Sequence, residues 1–310
     1  MDATPPKTRP PRIAIIGEAM IELSPIGPDS ARIGVAGDTF NTAVYLSRLL
    51  QGTGATVSYV TLVGDDRQSD RIVAALTDEG IDTSLAARLP GAMPGLYMIE
   101  LDAEGERSFS YWRSDSAARR LFATGTPLQP DALQDFDIIV LSAISLAIIS
   151  PEARDWLHDW AQGFRKTGGR IAFDSNYRPR LWPDPETARS EVARFWAITD
   201  IALPSVDDEM ALFGDADADA VMARLAQWGV QMGAMKRGAE GPVALDGTGH
   251  VLAVAPVEKV VDSTAAGDSF NAGFLAAWLR GGSVGDSMAA GHALAARVIG
   301  HKGAILPKPD

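Results

Sequence analysis

Short apolar runs closed by turn residues alternate along the chain with longer stretches whose apolar positions recur at helical spacing. The short runs are RIAIIG (12–17), VSYVTLVG (57–64), DIIVLSAI (137–144), RIAFDSN (170–176), DIALPS (200–205) and GAMKRG (233–238). The helical stretches cover roughly 39–50, 66–79, 151–167, 185–197 and 217–228. Such alternation predicts an α/β fold, a mostly parallel sheet sandwiched by helices. Ligands of such sheets sit beyond the carboxyl ends of the strands, so chemistry is sought in the segments that follow them.

Two regions break the alternation. LYMIEL (96–101) and RSFSYWR (107–113) flank DAEGE and alternate with the period of a hairpin, while 18–36 lacks any helical period and reads as extended. We expect these segments, about 18–36 and 95–113, to form a small β lid over the strand ends of one core domain. Residues 1–11, MDATPPKTRPP, have no apolar stretch of the signal-peptide kind and are expected to be a disordered lead.

Composition narrows the function classes. An apolar fraction of 46% and a charged fraction of 22% are those of a soluble globular protein. No apolar run approaches the roughly 20 residues of a membrane span. The chain has no cysteine, which removes disulfides, thiolate catalysis and Cys-ligated metals, and makes a cytoplasmic location the simplest expectation. A formal charge of −12 argues against nucleic acid as a partner. It does not argue against a small phosphorylated ligand held by local donors.

Four stretches carry candidate chemistry. In DSTAAGDSFNAGF (262–274), Asp268 stands where a small-residue turn becomes a helix. A plain N-cap is one reading of that carboxylate. The other is that Ala265, Ala266 and Gly267 clear the space before the N–H groups, so that a phosphate oxygen approaches them. In AGDTFNTAVYLSRL (36–49), Gly37 allows close approach, and Asp38 and Asn41 stand at the mouth of a helix beginning near Thr39. A cap or a clamp for sugar hydroxyls fits that pair. In FDSNYRPRLW (173–182), a strand ends at Asp174, and Asn176, Arg178 and Arg180 follow in a loop held by Pro179. A guanidinium placed there suits an anion. In MKRGAEGPVAL (235–245), Lys236 is followed by Gly238 and Gly241 in a turn suited to a nucleotide. Neither GxxxxGK[ST] nor GxGxxG occurs, which speaks against a P-loop and against a dinucleotide-binding dehydrogenase.

AGDTFN and DSTAAGDSFNAGFL together resemble the two signatures of the ribokinase-like (PfkB-type) carbohydrate kinases, over essentially the whole chain after residue 11. Within that family GEAMIELSP (17–25), GLYMIEL (95–101), GERSFSYWR (105–113), LSAISLAIIS (141–150), FDSNYRPRLW and GAILP (303–307) are similar to segments of the kinases that act on 2-keto-3-deoxygluconate. The resemblance implies one ribokinase-like domain over 12–310, with ATP and Mg²⁺ as cofactors and a small sugar acid as substrate. It places the catalytic base on Asp268 and an anion hole on Ala265, Ala266 and Gly267. Substrate contacts fall on Gly37, Asp38, Asn41, Tyr97, Tyr111, Arg113 and Arg178, and nucleotide contacts on Lys236, Gly238, Gly241 and Ser205. The family's Asn-x-x-Glu metal-orienting motif appears as Ser205-Val206-Asp207-Asp208, with Glu209 adjacent. No direct metal ligand is implied, and Asp208 reaches the metal through water. A homodimer through the exposed face of the lid is also compatible with the resemblance. An aldonic-type substrate brings a carboxylate, and Arg113 and Arg178 are the cations to meet it. A pairing of Arg113 with an acidic residue such as Glu100 is the alternative. A kinase for a neutral sugar such as fructose or ribose, and a non-catalytic sugar-binding regulator, are the rival functions.

Overall fold

The structure is a computed structural model that describes residues 9–27, 29–101, 107–255, 257 and 259–308. The chain runs from β1 (Arg12–Ile16) through β2 (Met20–Gly27) and β3 (Ser30–Ala36) to α1 (Asp38–Leu50). Then come β4 (Thr56–Val63), α2 (Arg67–Asp78), β5 (Ala86–Arg88), β6 (Leu96–Leu101) and β7 (Arg107–Trp112). The middle carries β8 (Ile138–Ser142), α3 (Ala143–Ile148), α4 (Pro151–Lys166), β9 (Arg170–Asp174), α5 (Pro185–Trp196) and β10 (Ile201–Ala202). The last third carries α6 (Val206–Phe213), α7 (Ala218–Gln227), β11 (Ala234–Met235), β12 (Val243–Ala244), α8 (Ala266–Leu279) and α9 (Val284–Ile299).

The main sheet has the order β10-β9-β8-β1-β4-β5, and all its pairings are parallel. Its strands read as unbroken apolar runs because both faces are covered. Ile13, Ile15, Tyr59, Ile138 and Val140 point into the core on the side of α1, α2, α8 and α9. Ala14, Ile16, Val60, Ile139 and Leu141 point the other way, into the core with α4 and α5. The helices predicted at 39–50, 66–79, 151–167, 185–197 and 217–228 all form, to within a residue or two at each end.

The expected strands at 200–205 and 233–238 are much shorter. Pro204 has no N–H with which to continue a ladder, so β10 stops at Ala202. Gly233 lies so close to β10 that a Cβ would fall 1.8 Å from the Ala202 carbonyl oxygen, and the two runs are joined by isolated bridges, Ala202 to Gly233 and Ser205 to Lys236. The run at 137–144 also ends early. Ser142 and Ser145 form a capping box that starts α3 at Ala143. Of the expected lead, residues 1–8 lie outside the described residues. Arg9–Pro11 are held: the Arg9 guanidinium donates to Asp137 at 2.9 Å, and the Pro11 carbonyl accepts from the Thr56 N–H at 3.0 Å.

A second sheet, β3-β2-β6-β7, is built from the two segments that broke the helical pattern. Its outer strands pair antiparallel with β2 and β6, which are parallel to one another. The expected hairpin tip, DAEGE, lies outside the described residues.

Candidate active site

The carboxyl ends of the parallel strands deliver a set of polar side chains to one place. Helix α1 begins at Asp38 behind Gly37, whose backbone is extended. The glycine is needed for space, since a Cβ there would lie 2.4 Å from the Glu18 carbonyl oxygen. Asp38 makes no cap. Its Oδ2 accepts from Ser142 Oγ at the end of β8 (2.5 Å) and from Asn176 Nδ2 beyond β9 (3.0 Å).

Asp268 is not a cap either. The N-cap of α8 is Ala265, a non-glycine residue at φ 63°, with no side-chain cap bond. That left-handed conformation costs free energy and turns the chain sharply ahead of the helix. Asp268 sits in the first turn, 9% exposed, and its Oδ2 accepts from Asn41 Nδ2 at 2.8 Å. Burial and the nearby charges of Asp38 and Asp174 push its carboxyl well above the usual range, against the Asn41 hydrogen bond and the charge of Lys236. Asn41 Oδ1 is buried without a partner among the described residues. Of the expected anion hole, the Ala266 N–H already donates to the Ser263 carbonyl at 3.2 Å. Gly267, one position into the first turn, has no intrahelical acceptor for its N–H.

Lys236 follows β11, as the strand-end reading expects, and its partners come from elsewhere in the fold. Its ammonium does not lie with the glycine turn but reaches Asp174 Oδ1 at 2.9 Å and Asn271 Oδ1 at 3.0 Å. Asn271 Nδ2 donates to Asp174 Oδ2 at 2.7 Å. Gly238 and Gly241 stand in the turn that follows, at φ +54° and +79°, and take no part in this network among the described residues. Ser205 is the N-cap residue of α6 without a side-chain cap bond, and its N–H donates to Ser175 Oγ at 2.8 Å. Asp208 pairs with the half-exposed Arg178 at 3.3 Å, and burial raises its carboxyl. Glu209 turns away into the body, where Trp196 and Arg224 donate to it.

The second sheet supplies the remaining candidates. Tyr97 is buried, donates to Glu22, and packs against a tilted Tyr111 ring with centroids 5.8 Å apart. Arg113 is 9% exposed and donates to Glu18, which is 1% exposed. Its partner is therefore Glu18 at the end of β1. Glu100 instead accepts from Ser110 at 2.9 Å. Arg113 Nε and Glu18 Oε1 are both buried without a partner among the described residues.

Sequence reasoning assigned no role to Glu18, Glu22, Ser142, Asp174 or Asn271. The signal for Asn271 was available, since a residue three beyond Asp268 shares its helix face. Glu18 carried none, because nothing local tells that a glutamate after a strand is buried.

A model of the pfkB family of carbohydrate kinases matches residues 10–310. The chain is 45% identical over 302 residues to the 2-dehydro-3-deoxygluconokinase of Escherichia coli (strain K12), covering 96% of this chain and 97% of that one. It is 46% identical over 305 residues to the enzyme of the same name from Dickeya dadantii (strain 3937), covering 95% and 96%. A PfkB protein from Polaromonas sp. JS666 superposes with a TM-score of 0.80 at 26% identity, covering 94% of this chain and 96% of that one. A putative ribokinase II from E. coli, solved with ATP and Mg²⁺, gives 0.82 at 22% identity, covering 95% and 94%.

Proposed function

The chain belongs to the pfkB family of carbohydrate kinases, and from that premise we propose that it transfers the γ-phosphoryl group of ATP to 2-keto-3-deoxygluconate. The product is the 6-phosphate. The observation that carries the reading is Asp268: a buried carboxylate in the first turn of a helix, hydrogen-bonded to Asn41 and next to Gly267, whose N–H has no intrahelical acceptor. The names of relatives at 45–46% identity support the substrate.

Asp268 accepts the proton of the sugar's primary hydroxyl as that oxygen attacks the γ-phosphorus. The new P–O bond forms as the bond to the β–γ bridging oxygen breaks, and ADP leaves. The Gly267 N–H and the dipole of α8 stabilise charge on the transferred group. Asp38 and Asn41 hold sugar hydroxyls, with Asp38 fixed by Ser142 and Asn176. Arg178 pairs with Asp208 through Nη1 yet stays half-exposed, so its guanidinium can also meet the substrate carboxylate, whereas Arg113 is sealed against Glu18. Ser205 and the Gly238–Gly241 turn lie on the nucleotide side. Mg²⁺, when bound with the nucleotide, neutralises phosphate charge. Asp208, a carboxylate on the same rim, fits a water-mediated role towards it. The second sheet acts as a lid that excludes water through Tyr97 and Tyr111.

A coupled assay of ADP release in Mg²⁺-ATP, run over a panel of keto-deoxy acids and neutral hexoses, tests the proposal. The expected result is a kcat/KM for 2-keto-3-deoxygluconate far above that for fructose or ribose. A preference for a neutral sugar, or no sugar-dependent release, overturns it.

A further inference from the structure

We propose that Asp174 and Asn271 are positioning residues that hold the Lys236 ammonium on the path of the transferred phosphoryl group. Lys236, Asp174 and Asn271 form a closed triangle, with each pair joined by one hydrogen bond of 2.7–3.0 Å. The triangle orients the Asn271 amide: its oxygen faces the ammonium and its nitrogen faces the carboxylate. The three corners come from three rigid places, the end of β9, the residue after β11, and the second turn of α8. Asp174 is 8% and Asn271 3% exposed, so the anchors are largely removed from water.

A lysine side chain is otherwise a flexible four-carbon stem with a strongly hydrated head. Holding it at one point loses rotamer freedom, and two fixed acceptors supply that ordering before any ligand arrives. The ammonium has three donors, and the triangle uses two of them. The place it is held is telling. A Cβ on Gly267 would stand 3.6 Å from Nζ, so the ammonium lies beside the first turn of α8. A fixed cation beside a helix N-terminus suits a multiply charged oxyanion such as a terminal phosphate far better than a neutral hydroxyl. The alternative is that the triangle only staples β9 to α8.

This inference rests on the kinase reading of the site but not on the identity of the sugar. The test is calorimetric titration with Mg²⁺-β,γ-imido-ATP and with Mg²⁺-ADP, whose ratio of affinities isolates the terminal phosphate. Lys236→Met should lower that ratio by about 10-fold or more, the worth of one charge-assisted contact. Asp174→Asn keeps the shape but puts a donor in place of one of the two acceptor oxygens, so one side of the triangle must open. It should lower the ratio in the same sense, as should Asn271→Ala. Asp174→Asn combined with Lys236→Met should lose no more than Lys236→Met alone. A steady-state readout should agree, with kcat falling and the sugar KM unchanged within about twofold. Removing a negative charge without moving the lysine would instead tighten the triphosphate. An unchanged or raised ratio in Asp174→Asn and Asn271→Ala, equal weakening of both nucleotides, or additive losses in the double variant would each overturn the clamp. Failure of the parent protein to bind either nucleotide would overturn the kinase reading itself.

Discussion

Ionising Asp268 means placing a negative charge near Asp38 in a spot sealed from water, and both effects hold its carboxyl well above the usual range. Below the unfolded value near ~3.9 the group is neutral in both states. Between that and its raised folded value, the folded protein keeps a proton that the unfolded chain has lost, so stability falls as pH rises through the window. Asp268→Asn removes this penalty. We expect its Tm at pH 8 to equal or exceed the parent's, while kcat falls by about 10²–10⁴, the worth of a positioned general base. Calorimetry and turnover on one preparation check both. A retained kcat would mean that the carboxylate is structural. The free-enzyme kcat/KM should rise with pH as Asp268 ionises, and Asp38→Asn, which removes the like charge, should move that acidic limb to lower pH. A limb that stays put would break the proposed coupling. At this scale the sequence showed Asp38, Asn41 and Asp268 as candidates because they sit beside small residues at helix starts. It did not show the partners of Lys236, because a stem of four carbons can reach far from its own backbone and only the fold shows which acceptors it meets.

The small sheet is tied to the core by a buried ion pair. Glu18 follows β1 and Arg113 follows β7, and both are nearly sealed from solvent. Gly95 makes room for the pair, since a Cβ there would lie 2.5 Å from Glu18 Oε1. Removing one member leaves a buried charge without its counter-ion, at a cost of about 3–5 kcal/mol. We expect Arg113→Ala to lower stability by that amount in urea titrations, and Glu18→Gln with Arg113→Gln to recover most of it. An Arg113→Ala protein as stable as the parent would show that the pair does not hold the sheet. The outer part of this sheet is less well covered, with Phe109, Tyr111 and Trp112 all exposed. Amides in 96–101 and 108–112 should therefore exchange faster than those of the fully buried β8, and slow when nucleotide and sugar are added. Equal rates with no response to ligand would contradict a lid. The hairpin was legible from its period-2 alternation. The partner of Arg113 was not, because Glu18 is 95 residues away and joins it only through tertiary packing.

Across the whole molecule, strand and helix alternation was enough to read the α/β class, because strands buried on both faces leave long apolar runs and their helices leave periodic ones. The α3 helix and the two-residue β12 escaped it, being shorter than any period can reveal, while β10 and β11 were expected as longer strands. The parallel order brings the ends of β1, β8 and β9, with the residues following β10 and β11, to one edge, where Asp38, Asp174, Lys236 and Asp268 converge. The substrate reading of that edge depends on which hydroxyl receives the phosphoryl group. The direct measurement is ³¹P and ¹³C NMR of the product formed from Mg²⁺-ATP and 2-keto-3-deoxygluconate, with fructose in a parallel tube. The account predicts one new phosphomonoester whose phosphorus couples to the C6 methylene, formed far faster than any fructose phosphate. A phosphate on another carbon, or fructose consumed in preference, would contradict it.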